Sequence, residues 1–168
     1  MRWIRRWAAV TSLFALFACD VVTRVERPLP EDFSATLLSG EVIDRTYFEG
    51  RPWLVNVWVP GCGICAREFA AIEATRAGFE AKGVGYLALS MEADDEPVRT
   101  AAKRIGIAFP VAIMKGPVLD ALDLRTVPAT FFLDARTNLV AIARGERTRG
   151  FFERRLKELV TGSASDSL

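Results

Sequence analysis

The chain has 168 residues, 51% of them apolar and 26% charged, a balance that fits one globular domain with a hydrophobic core and excludes a disordered tail. With 22 basic and 21 acidic residues the net charge is +1, so no global field points to nucleic acid or an anionic surface as partner. Histidine is absent, which removes triad hydrolysis, His-assisted cysteine proteolysis and most zinc catalysis together.

The N-terminus has the layout of an export signal over residues 1–18: Met1-Arg2-Trp3-Ile4-Arg5-Arg6 is basic, and Trp7 to Ala18 runs without charge. This run is shorter than the ~20 apolar residues of a membrane-spanning helix. A stable span is therefore the weaker reading, and Ala18-Cys19 is read as a lipoprotein cleavage site, with an ordinary cleavage site or an uncleaved anchor as the alternatives. Leu16-Phe17-Ala18-Cys19 resembles the lipobox of bacterial lipoproteins, although Phe17 is bulkier than that motif usually carries. The resemblance implies a lipid on Cys19 and, through Asp20, retention at the inner membrane of a Gram-negative cell. Giving Cys19 to the lipid also accounts for the odd number of cysteines, leaving one close pair and no disulfide framework. Residues 19–32 then read as a lipidated tether, polar and aperiodic and ending in Pro28-Leu29-Pro30.

The folded domain is expected over residues 33–161. A hairpin is read at Phe33 to Leu38 and Glu41 to Ile43, turned at Gly40. Trp53 to Val59 is nearly all apolar and β-rich, the pattern of a central strand covered on both faces. From Cys62 to Ala81 the spacing of Phe69, Ile72 and Phe79 predicts a helix, ended by Gly83. Val84 to Met91 reads as a second buried strand, parallel to the first through a right-handed crossover. Asp94, Asp95, Glu96 and Pro97 open another helix to about Ile105, the acids complementing its dipole rather than binding metal. A less regular stretch with Phe109-Pro110 and Gly116-Pro117 follows. Ala129 to Leu133 and Leu139 to Ala143 form a hairpin, Thr148 to Val160 a terminal amphipathic helix, and residues 162–168 a small polar tail.

Cys62-Gly63-Ile64-Cys65 lies between a strand and a helix, and that context gives the motif meaning. Unpaired N–H groups and the positive dipole end at a helix N-terminus favour an anion, so Cys62 is expected to ionise and attack. Cys65, one turn further in on the same face, is the expected resolving thiol. Zinc would need carboxylates as its remaining ligands, and copper of the histidine-assisted kind lacks its histidine. A passive disulfide closing so short a loop would stabilise little. Redox exchange without a cofactor or metal is the favoured reading, carried by the dithiol itself.

Val55-Asn56-Val57-Trp58 leading into Cys62-Gly63-Ile64-Cys65-Ala66-Arg67-Glu68-Phe69, followed by Thr126-Val127-Pro128-Ala129-Thr130-Phe131-Phe132-Leu133-Asp134, resembles the thioredoxin superfamily. Within it the chain is similar to the TlpA/ResA-like envelope thiol-disulfide oxidoreductases. The resemblance implies an α/β thioredoxin fold: a central mixed sheet flanked by helices, here with an N-terminal β-hairpin extension. It implies that Pro128 is a cis-proline facing the cysteines and that Val127 offers backbone groups to an extended substrate. It also implies reduction of disulfides in envelope proteins, electrons from a membrane dithiol donor, and service in cytochrome c maturation or in rescue of oxidised proteins. An oxidase or isomerase, and a redox-sensing or chaperone-like binding module, remain the alternatives. Gly61 and Ile64 depart from the tryptophan and proline common at their positions, which bears on potential and partner choice. Asn56 stands where cytoplasmic thioredoxins carry a proton-transferring aspartate. Glu68 is then a candidate for proton transfer, weighed against an ordinary solvated helix position, and Trp58 reads as a core aromatic.

Overall fold

A computed structural model of the chain describes residues 22–115 and 122–165; the leader, Cys19 and its lipobox lie outside them. In chain order the elements are β1 (Val22–Pro28), β2 (Ser34–Leu37), β3 (Val42–Asp44), a 3-10 turn (Arg45–Phe48) and β4 (Trp53–Trp58). There follow α1 (Gly63–Glu80), β5 (Gly85–Ser90), α2 (Asp95–Ile105), β6 (Val111–Lys115), β7 (Ala129–Leu133), β8 (Asn138–Arg144) and α3 (Arg149–Ser165).

The strands form one mixed sheet in the order β1-β8-β7-β4-β5-β6-β2-β3. β4, β5 and β6 run parallel, and every other neighbouring pair is antiparallel. All six residues of β4 and all six of β5 are buried, as continuous apolar runs covered on both faces require. Gly85 lets the two strands close up, because a Cβ there would collide with the Trp53 ring that lies over it.

The sheet separates two apolar layers. On one face α1, α2 and α3 contribute Phe69, Ile72, Val98, Phe152 and Leu156 to a common core. On the other face Leu29, Phe33, Phe48, Leu122 and Leu124 cover β4, β7 and β8. There Phe48 stands edge-on to both Phe33 and Trp53, with ring centroids 5.2 and 5.3 Å away.

The N-terminal hairpin forms as expected and joins the sheet through β6. The stretch expected to be a tether does not stand apart. Residues 22–28 pair with β8 in the sheet, and Leu29 is fully buried, its N–H donating to Thr137 O at 3.0 Å. An edge strand with one solvated face needs no apolar alternation of its own; the open edge of β8 supplies its hydrogen bonds. β6, short and bounded by Pro110, lay in the stretch read as irregular. α3 continues through Ser165, past the Val160 expected from its apolar face, so part of the expected tail is helical.

Candidate active site

The backbone brings the cysteine pair, the Val127-Pro128 segment and a buried polar cluster around Glu68 together near the C-terminal end of β4. Cys62 caps α1 with extended backbone (φ −74°, ψ 99°), after Gly61 at φ +80°, a conformation glycine adopts without steric cost. Cys62 and Cys65 are joined by a disulfide, S–S 2.03 Å, with Cα atoms 5.3 Å apart. The Cys65 N–H also donates to Cys62 Sγ at 3.2 Å, so the orphan amide of the first helical turn already points at the outer sulfur. Cys65 is fully buried, Cys62 half-buried, and Ile64 between them is 41% exposed.

Ala129 pairs with Val57, which brings Pro128 to the end of β4 from which the chain runs on to Cys62. The Val127–Pro128 bond is cis. Val127 is half-buried, and it and Cys62 pack against the same apolar layer. Pro128 O accepts the Gly145 N–H at 2.8 Å, fixing the loop after β8 against this segment.

Beneath the cysteines lies a buried polar cluster that sequence reasoning only half found. Asn56 Nδ2 donates to Glu68 Oε2 at 2.7 Å and to Thr130 Oγ1 at 2.9 Å. The Arg147 backbone N–H donates to Glu68 Oε1 at 2.8 Å. Glu68 is 1% exposed, not the solvated helix residue weighed above. Burial pushes its carboxyl up to about 7, against the lowering effect of the Asn56 and Arg147 hydrogen bonds. Cys65, Glu68, Ile72, Thr75 and Phe79 are all buried along α1. Their alternating spacing of three and four is the signal that could have found Glu68.

Trp58 is fully buried and meets Phe69 edge-on at 5.4 Å, a core aromatic as read. Around the site, Arg67 makes a bidentate pair with Glu146 at 2.9 and 2.8 Å, tying α1 to the loop that carries Arg147. Among the described residues no three potential metal ligands cluster, and no helix is long and apolar enough to cross a membrane.

The AhpC/TSA family matches residues 25–142 of this chain. The thiol-disulfide oxidoreductase ResA of Bacillus thuringiensis subsp. konkukian is 28% identical over 129 residues, which are 76% of this chain and 75% of that protein. A thiol:disulfide interchange protein of the thioredoxin family from Chlorobium tepidum TLS superposes with a TM-score of 0.68 at 21% identity, over 82% of this chain and 99% of that one. A secreted thiol-disulfide isomerase from Corynebacterium glutamicum gives 0.70 at 20% identity, over 88% and 96%. These neighbours share the thioredoxin fold of the sheet described above. Since the family match takes in both the cysteine pair and the Val127-Pro128 segment, this chain belongs to the AhpC/TSA family.

Proposed function

We propose that the chain is a thiol-disulfide oxidoreductase that reduces disulfides of envelope proteins through Cys62 and Cys65. The carrying observation is the asymmetry of the pair: Cys65 is fully buried, whereas half-buried Cys62 caps α1 with its sulfur receiving the Cys65 N–H. Only the outer sulfur can meet a second protein, and the helix end stabilises it as a thiolate.

In the reduced enzyme the Cys62 thiolate attacks one sulfur of the substrate disulfide. A mixed disulfide forms, and the other substrate sulfur leaves as a thiolate that takes a proton. Cys65 then loses its proton and attacks Cys62 Sγ, which releases the second substrate thiolate and closes the Cys62–Cys65 bond. Two electrons pass to the substrate, and a membrane dithiol returns them. Glu68, one helical turn below Cys65 and poised to ionise near neutrality, is the group to accept the Cys65 proton, with Asn56 orienting its carboxylate. Val127 and Gly61 border the place where substrate backbone lies. The dithiol needs no cofactor.

The chain acts at the periplasmic face of the inner membrane, held by a lipid on Cys19. This rests on the leader and lipobox pattern, with a soluble periplasmic form or an uncleaved signal anchor as the other arrangements. Apocytochrome c is one disulfide-bearing client that fits the reading.

Replacing Cys65 with Ala removes the resolving attack, so Cys62 should remain covalently bound to its client and carry it through non-reducing purification. Recovering no such adducts from cells would overturn the proposal. Repeated turnover of insulin disulfides under a dithiol supply would separate an enzyme from a binding module. A redox titration of the Cys62–Cys65 pair would separate a reductase from an oxidase or isomerase.

A further inference from the structure

The register of β1 fixes where the N-terminal segment enters the domain. Val22 pairs with Ala143, Ala143 with Thr130, and Thr130 with Asn56, so these four residues form one row across the sheet. With strands spaced ~4.8 Å, the row carries the start of β1 to within about 14 Å of Asn56, which bonds Glu68 under the cysteine pair. β1 then runs away from the site, reaching the opposite end of the sheet where Pro28 pairs with Asn138. The chain therefore emerges at the active-site end.

A side chain fastens the two together. Arg144, opposite Ala129, donates to Thr23 Oγ1 at 3.3 Å and to Asp123 O at 3.2 Å. One guanidinium thus bridges the start of β1 and the loop leading to Val127 and Pro128.

Because β1 takes up what would otherwise be tether, Cys19 stands only three residue steps before Val22, about 11 Å at full extension. We propose that membrane anchoring holds the active-site end of the domain against the bilayer. The surface formed by the start of β1, the Asp123–Val127 loop and the cysteine cap faces the lipid headgroups. Partners are then met there, as thiols or disulfides presented at the membrane surface. The inference rests on the anchored reading above and holds equally for a lipid on Cys19 or a retained apolar leader ending at Ala18.

The test uses the full chain purified from membranes and reconstituted into phosphatidylcholine vesicles whose headgroups carry nitroxide quenchers. A fluorophore is attached to Arg125→Cys, near the site, or to Lys82→Cys, beside the far end of the sheet where Gly85 pairs with Trp53. The Cys62–Cys65 pair is kept oxidised. The Arg125→Cys probe should be quenched several-fold more than the Lys82→Cys probe. A flexible insert of about ten residues between Val21 and Val22, adding roughly 17 Å of reach, should bring the two closer to equality. Equal or reversed quenching in vesicle-bound protein, or a difference untouched by the insert, would overturn this inference alone. A chain that does not associate with vesicles at all would overturn the anchored reading and this inference with it.

Discussion

The Asn56 side-chain amide and the Glu68 carboxylate meet at 2.7 Å with both residues buried, so the acid beneath the cysteine pair is held by a partner that cannot itself ionise. The Glu68 carboxyl is pushed up to about 7, while in the unfolded chain it returns to the usual value near 4.5. Between these values the folded state binds the extra proton. The stabilisation is complete below about 4.5 and is lost as pH rises through about 7, an effect of roughly 3 kcal/mol. Asp44, bonded by the Thr46 hydroxyl, and Glu146, bonded by Arg67, are held below the usual carboxylate range and titrate beneath this window. Urea denaturation of the oxidised protein across pH should show the fall, and Glu68→Gln should flatten it. A slope that survives the substitution would show that Glu68 is not its source.

Asn56→Asp should expose the same site from the other side. It would set a second carboxyl within hydrogen-bond reach of Glu68 in a buried setting, where two negative charges cannot coexist without large cost. At pH 5 the two acids can share a proton. At pH 8 the variant should lose about 3 kcal/mol relative to the parent, and clearly less at pH 5. Equal losses at the two pH values would mean that the carboxyl groups do not face one another in solution.

These two side chains mark the limit of what the sequence reveals. The central strand and the cysteine cap are legible because each combines local pattern with position: an unbroken apolar run, a pair at a helix start. The cis Val127–Pro128 bond is implied only by the family resemblance, because a proline before a strand is ordinarily trans. Glu68 was less legible because a charged residue early in a helix is ordinarily solvated; only its place in the stripe from Cys65 to Phe79 betrays its burial. β1 carried still less, since Thr23, Arg24, Glu26 and Arg27 are the charged and polar residues of an edge strand and equally those of a linker. Its conformation is decided by β8, more than a hundred residues later in the chain.

Leu29 tests whether the N-terminal segment is part of the fold. Its side chain is fully buried in the layer with Phe33, Phe48 and Leu139, although it sits between two prolines in a stretch that reads as tether. Leu29→Ala should cost about 2 to 4 kcal/mol through lost burial and the cavity left behind. Val42, 66% exposed on β3, is the matched control, and Val42→Ala should change stability by less than about 0.5 kcal/mol. Chemical denaturation of both variants decides the point, because a tether residue would behave like Val42.

The asymmetry of the cysteine pair makes a kinetic demand. In the disulfide form the Cys62 sulfur sits at the α1 N-terminus with the Cys65 N–H directed at it, a position that would favour a thiolate there after reduction, whereas Cys65 is enclosed by the apolar layer that includes Trp58 and Phe69. A free thiol with a pKa near 8.5 is only a few per cent ionised at pH 7, so stabilising the thiolate at a helix end should raise its reactivity by roughly tenfold. The gain is tempered because a less basic thiolate is a weaker nucleophile. Brief iodoacetamide treatment at pH 7, followed by peptide mass spectrometry, should find Cys62 alkylated well ahead of Cys65. The advantage of Cys62 over free cysteine should shrink as pH approaches 9, where the reference thiol also ionises. Alkylation of both cysteines at the rate of free cysteine would remove the physical basis for assigning the attack to Cys62.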